Sequence, residues 1–234
     1  MTRRALIAGA TGLVGARLLQ ALLADPAYGA VRVFVRRPLA LDHPKLVVEV
    51  IDFDRLQDVR FPRVDDVFCC LGTTIAAAGS RAAFRRVDFD YPLAIARAAL
   101  AAHARQFLFV SAMGANARSA VFYSRVKGEL EQAVAGLGYR SVVAFRPSLL
   151  AGDRQQNRPG ERVALAVLQP LRFLVPRKYR PVSAAAVAQA MLTSAKRGPA
   201  GFTVVESDAL QESAGPDARP PPPPRGAAHA KKRR

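Results

Sequence analysis

The chain has 234 residues and a mass of 25.2 kDa, half of it hydrophobic and 23% charged. That is enough apolar material for one core of ordinary size and excludes a wholly disordered chain, while the absence of any run of 18 apolar residues excludes a spanning helix. A net charge of +17, from 35 Lys and Arg against 18 Asp and Glu, attracts nucleic acid, anionic membranes and phosphorylated small molecules alike and selects none of them.

Short β-rich runs alternate with longer helical ones from the start of the chain. A strand is predicted over residues 5–8. Arg3 and Arg4 ahead of an apolar run superficially suggest a secretory signal, but glycines interrupt the run and no clear small-residue cleavage site follows. The stretch therefore reads as the first strand and turn of a fold, and the protein is expected in the cytoplasm. The strand runs into Gly9-Ala10-Thr11-Gly12-Leu13-Val14-Gly15, with a helix predicted at 14–24. In such a turn the first glycine permits a tight bend. The second lets backbone N–H groups approach a pyrophosphate, and the third lets helix and strand pack closely. The helix start then offers its unpaired N–H groups and positive dipole end to the phosphates.

A second strand over 31–35 ends in Arg36 and Arg37. A site for NAD usually carries an acid at this point, to bond the ribose 2′-hydroxyl. Two guanidinium groups suit a 2′-phosphate instead, so the expected cofactor is NADP(H). The third strand, 46–51, is followed by Asp52, placed to accept from an adenine amino group, and by Phe53, placed to offer a backbone group or its ring. The fourth, 66–71, contains the adjacent thiols Cys69 and Cys70 and leads into Leu71, Gly72 and Thr73, where the glycine lets a cofactor close to the backbone. Neighbours on a strand point to opposite faces, so the two thiols are expected buried and reduced rather than bridged.

A helix is predicted over 81–104 and a strand over 107–111, ending in Ser111. The helix over 123–135 carries Tyr123 and Lys127, four apart and on one face. A free tyrosine with a pKa near 10 is a poor acid–base at neutral pH, and a nearby ammonium lowers that value. The pair can then move a proton at a carbonyl or alcohol oxygen, with Ser111 expected to orient that oxygen and Lys127 also able to bond the nicotinamide ribose. Strands over 141–145 and 201–205 complete the pattern. Continuous Val/Ile/Leu/Phe runs fit strands buried on both faces, and the alternation predicts a doubly wound α/β fold of about seven parallel strands.

Together these residues resemble the short-chain dehydrogenase/reductase superfamily, and more closely its atypical, Tat-interacting-protein-like branch. The likeness covers most of residues 4–206. It rests on the glycine turn, Cys69-Cys70-Leu71-Gly72-Thr73-Thr74, Val110-Ser111-Ala112-Met113-Gly114-Ala115, Tyr123-Ser124-Arg125-Val126-Lys127-Gly128-Glu129-Leu130-Glu131 and Arg146-Pro147-Ser148-Leu149-Leu150. Gly152, Arg154, Arg158, Gly160 and Glu161 follow at family-like spacing. The resemblance implies a Rossmann fold, NADPH binding, Tyr123 as proton donor or acceptor and Lys127 on the cofactor. One departure stands out: the family usually has two serines where this chain has Ser111-Ala112.

The domain is expected over 1–208, with a small substrate lobe within about 147–200 that suits a small-molecule substrate. A basic loop at 154–162 is suited to an anionic group, and an apolar stretch at 165–175 reads as core or pocket wall. Residues 209–234, with five consecutive prolines and a net charge of +4, read as a disordered tail. The leading expectation is an NADPH-dependent oxidoreductase acting on a small carbonyl or alcohol. The runner-up is an NADPH-sensing regulator that engages a protein partner. Superfamily members often form homodimers. No zinc-ligand set, helix-turn-helix or RNA-binding aromatic motif supports a nucleic-acid partner.

Overall fold

The computed structural model describes residues 2–151 and 176–212. Gly152, Arg154, Arg158, Gly160 and Glu161, the loop 154–162, all but the last residues of the expected lobe's middle third, the stretch 165–175 and the tail from 213 onward lie outside the described residues.

The elements in chain order are β1 (Arg3–Ala8), α1 (Leu13–Ala24), β2 (Tyr28–Val35), β3 (Leu46–Val50), a 3-10 turn (Phe53–Asp58), β4 (Asp66–Cys69), α2 (Ile75–Ala78) and α3 (Arg81–Arg85). A π-helical turn (Arg86–Asp90) leads into α4 (Tyr91–Ala101), β5 (Gln106–Val110), α5 (Phe122–Ala135), β6 (Ser141–Arg146) and β7 (Leu150–Ala151). Then come β8 (Val182–Ser183), α6 (Ala184–Arg197), β9 (Gly201–Glu206) and α7 (Ser207–Glu212). Seven strands make one parallel sheet in the order β3-β2-β1-β4-β5-β6-β9, and β7 pairs with β8 beside it. The chain thus winds outward from β1 to β3 and then crosses back to β4. The reversal lies between β1 and β4, where Ile7 pairs with Val33 on one side and Phe68 on the other. Such a reversal opens a crevice at the carboxyl ends of the strands.

The unbroken apolar strands follow from burial on both faces. Leu6, Ala8, Phe34, Phe107 and Phe109 pack against Ile95 of α4 and Leu130 and Val134 of α5. Their neighbours Ile7, Val33, Phe68, Leu108 and Val143 pack against Leu18 and Leu22 of α1 and Val187 and Met191 of α6.

Four features differ from the sequence expectation. The helix expected over 81–104 is broken. Pro92 has no N–H to give the carbonyl of Asp88 four residues back, and the chain widens there into the π-helical turn before α4. The strand expected over 66–71 leaves the ladder after Cys69. Helix α6 was not anticipated, although its signals are present. Ser183 caps it by accepting from Ala186 N at 3.1 Å, and Gly198, at φ +59°, ends it. It packs with α1 on the sheet, so residues 184–197 form part of the covering layer rather than of a lobe. Finally, residues 209–212, expected as the first of the tail, belong to α7, which runs to Glu212 and whose Leu210 is fully buried.

Leu210→Ala should therefore lower the unfolding free energy by about 2–5 kcal/mol, as for other buried leucines. Denaturant titration reads this directly, and an unchanged midpoint would detach α7 from the core.

Candidate functional site

The crevice at the β1–β4 reversal is built by backbone contact. Gly9 sits at φ +86°, and a Cβ there would lie 2.7 Å from the carbonyl carbon and oxygen of Cys70. A Cβ on Gly15 would lie 2.1 Å from the Gly9 oxygen. These two glycines are demanded by close approach: they let β1, α1 and the chain after β4 touch through main chain alone. Gly12 N donates to the Gly9 oxygen at 3.0 Å, and Gly12 is the N-cap of α1, with no side-chain cap and no acidic residue in the first turn. Thr11 and Gly12 are exposed, Leu13 is half-buried, and Val14 and Gly15 are buried behind the turn. The first N–H groups of a twelve-residue helix therefore face the crevice with no protein acceptor at the cap, an arrangement that fits a pyrophosphate.

The ribose side is less uniform. Arg36 and Arg37 follow the last residue of β2, are exposed and form no ion pair among the described residues. Asp52 is exposed and caps the 3-10 turn by accepting from Asp54 N at 2.9 Å. Phe53 differs from expectation. Its ring is buried in the core, 5.8 Å from the Tyr91 ring, which leaves only its backbone for a ligand. Leu71 is half-buried against the core, Gly72 is exposed, and Thr73 N donates to Asp88 Oδ2 at 2.9 Å.

Tyr123 and Lys127 stand one turn apart on α5. Tyr123 is half-buried, with its ring 5.4 Å from that of Phe84. Lys127 is buried, its Nζ 2.8 Å from Asp88 Oδ1 and 3.4 Å from the Val110 oxygen. Burial disfavours the ammonium, but the Asp88 carboxylate and the Tyr123 phenol more than offset this, holding the Lys127 pKa above the ordinary lysine value. Lys127 is therefore a fixed positive charge at neutral pH. It can stabilise a phenolate or hold a hydroxyl, and it is not a proton donor.

Ser111 lies elsewhere than expected. Its hydroxyl donates to Glu131 Oε1 at 2.5 Å. Arg146 holds the same carboxylate through Nε at 3.0 Å and Nη2 at 2.6 Å, and reaches Glu206 through Nη1 at 2.8 Å. Ser111, Glu131 and Arg146 tie α5 to β5 and β6, and the geometry does not bring the serine hydroxyl to the Tyr123–Lys127 pair. Ala112, next in sequence, is buried and offers no hydroxyl. Of the two thiols, Cys69 is buried, which pushes it up to about 12, and Cys70 is only partly buried.

Asp88 is the site residue that sequence reasoning missed. It is 1% exposed and joins the loop after β4 to the α5 lysine. The π-helical turn aims it there, and such turns recur at functional sites. The available signal was an acid between Val87 and Phe89, four residues before a proline.

A doubly wound parallel sheet, with a glycine turn at its reversal and a Tyr–Lys pair on the neighbouring helix, defines a nucleotide-binding fold of the short-chain dehydrogenase/reductase type. The chain belongs to the NAD(P)H-binding family, whose model matches residues 9–137, and within it to the atypical, Tat-interacting-protein-like group. It is 39% identical over 163 residues to the protein HTATIP2 of Rattus norvegicus, spanning 68% of this chain and 67% of that one. It is 31% identical over 206 residues to the protein FMP52-1, mitochondrial, of Scheffersomyces stipitis, spanning 82% and 88%. Among solved structures, an oxidoreductase of the short-chain dehydrogenase/reductase family from Burkholderia thailandensis shares the fold, with a TM-score of 0.65 at 22% identity over 90% of this chain and 93% of that one. No helix among the described residues is long and apolar enough to cross a membrane.

Asp88→Asn strands the Lys127 charge in the interior and should cost about 3–5 kcal/mol, as breaking a buried pair does. Adding Lys127→Met removes the stranded charge and should restore most of that stability. Thermal unfolding of the two single variants and the double variant checks this, and additive losses would show that the groups do not pair.

Proposed function

We propose that the protein is an NADPH-dependent oxidoreductase that moves hydride between the nicotinamide and a small carbonyl or alcohol substrate. The observation that carries this reading is the buried Lys127, paired with Asp88 one turn from Tyr123, at the same sheet edge as the uncapped start of α1. When bound, NADPH supplies the hydride. The protein's own part is to hold and to move a proton. The open N–H groups of the first turn of α1, just after Gly12, cradle the pyrophosphate, and Gly72 leaves room beside the backbone. Arg36 and Arg37, free of carboxylate partners among the described residues, take the ribose 2′-phosphate. Tyr123 gives its phenolic proton to the substrate oxygen as that oxygen gains charge, or takes it in the reverse direction. Lys127 favours the resulting phenolate, and Asp88 keeps the ammonium in place.

A second reading has its own support. Ser111 is occupied by Glu131 and Ala112 has no hydroxyl, so the substrate oxygen lacks the serine that the superfamily's chemistry expects. This favours a protein that binds NADPH and signals to a protein partner, with little turnover.

Titration with NADPH and NADH, followed by nicotinamide fluorescence, separates cofactor choice from chemistry. Replacing Arg36 and Arg37 together with alanine should weaken NADPH by at least about tenfold, from lost charge-assisted bonds, and leave NADH within about threefold. Equal losses would remove the 2′-phosphate assignment. Tyr123→Phe should lower turnover across a carbonyl panel by about 100-fold or more, the scale of general acid catalysis, with NADPH binding retained. Full turnover in that variant would end the proton-transfer role, and no turnover in the parent protein with intact NADPH binding would favour the sensing reading.

A further inference from the structure

The amino-terminal edge of the sheet, opposite the glycine turn, holds a cavity of about 310 Å³. Basic side chains gather there because the chain places an arginine at the entrance of successive strands. Arg3 opens β1, Arg105 and Arg140 directly precede β5 and β6, and Arg197 ends α6 before β9. Arg3 is committed to the buried Asp66 at 2.5 Å, and Lys196 to Asp25 at 2.8 Å. Arg105, Arg140 and Arg197 form no ion pair among the described residues. Part of this charge answers the helix carboxyl ends that finish at the same edge.

That explanation does not reach two polar groups in the cavity wall. Gln106 and Ser141 face each other in register across β5 and β6, and they are 6% and 1% exposed. The Gln106 amide is oriented by its own donations, to Asp66 Oδ1 and to the Ala195 oxygen, each at 3.0 Å. Its Oε1 is left without a donor, and Ser141 Oγ is left without any partner among the described residues. A buried polar group without a partner is costly, and so calls for one. The serine hydroxyl can turn toward the cavity about a single torsion.

The set has a definite chemical complement. Three guanidinium groups without a carboxylate among the described residues, together with a hydroxyl, outweigh the one further carboxylate of the wall, Asp65, which Arg4 approaches to 3.9 Å, and ask for an oxyanion; an orphaned carbonyl oxygen asks for an O–H beside it. We propose that this cavity binds the hydrogen phosphate ion, which keeps an O–H at neutral pH. The guanidinium groups and Ser141 bond the phosphate oxygens, and Gln106 Oε1 accepts from the ligand's hydroxyl. The site lies at the opposite edge from the nucleotide crevice and does not depend on the oxidoreductase reading.

The test is phosphorus NMR titration of the full chain with inorganic phosphate at fixed ionic strength, with the Arg105→Gln, Arg140→Gln variant serving to separate this cavity from the nucleotide crevice. Sulfate, which at neutral pH has no O–H, should compete at least about tenfold more weakly than phosphate, the cost of one charge-assisted bond. Arg105→Gln with Arg140→Gln, both exposed in the parent, should weaken phosphate by about tenfold or more with an unchanged melting temperature. Ser141→Ala should weaken phosphate while leaving the ligand-free protein as stable as before, or more so. Glycerol phosphate, whose phosphate group has largely lost its O–H at neutral pH, should bind more weakly than inorganic phosphate, and tighter binding would overturn the Gln106 assignment. Equal competition by sulfate, or phosphate binding indifferent to the Arg105 and Arg140 changes, would overturn the proposal and leave a cavity that holds only water.

Discussion

The contact of Gly15 with the Gly9 oxygen, and of Gly9 with Cys70, sets the distance between β1, α1 and the chain after β4. No side chain mediates any of these approaches. A methyl group at either glycine would have to occupy space already held by backbone, so the helix would move away from the strand and carry its N–H groups with it. The crevice at the sheet reversal exists because three segments of main chain meet where two faces of side chains otherwise keep them apart. The packing that supports this is ordinary: alternate residues of each central strand feed one of two cores, and the sheet is the partition between them.

Charge is placed on this frame in two different ways. At the carboxyl edge, beside α5, it is buried and paired. Lys127 and Asp88 neutralise each other in the interior, and Glu131 gathers Ser111 and Arg146. Desolvation makes such groups expensive to separate, so their geometry is stiff, and α5 is held to β5, β6 and the loop after β4 by polar contacts rather than by packing alone. At the amino edge, outside the pair of Arg3 with the buried Asp66, the charge is exposed and largely of one sign. It adds little to stability, and it shapes the field felt by anions in solution.

Much of the fold was legible before any coordinates. The glycine spacing, the unbroken apolar strands and the Tyr–Lys interval are one-dimensional signals, because each depends on neighbours within a few residues. What stayed hidden depends on pairing across the fold. Asp88 reads as one acid among many until α5 supplies its lysine, 39 residues later. Ser111 read as free because no local signal announces that Glu131 will claim it. Phe53 read as a ligand contact from its place after β3, yet a phenyl ring beside Tyr91 and the sheet is worth more buried. Helix α6 was legible by its caps but hidden by its alanines, which blur the apolar periodicity on which such readings rest. Residues 209–212 read as tail by composition, yet one leucine, Leu210, is enough to hold α7 against the core.

The π-helical turn at Arg86–Asp90 has a consequence for how this segment can change over time. A π turn contains one residue more than an α turn, so it is a length polymorphism written into the backbone. Removing one residue would give a smoother helix and locally better hydrogen bonding, and it would rotate the Asp88 side chain by about 100° around the axis. The ammonium of Lys127 would then face an apolar wall. Local regularity and the electrostatics of the crevice thus pull in opposite directions at this turn. Insertions and deletions here are constrained by a residue on another helix, in a stretch whose own sequence is permissive.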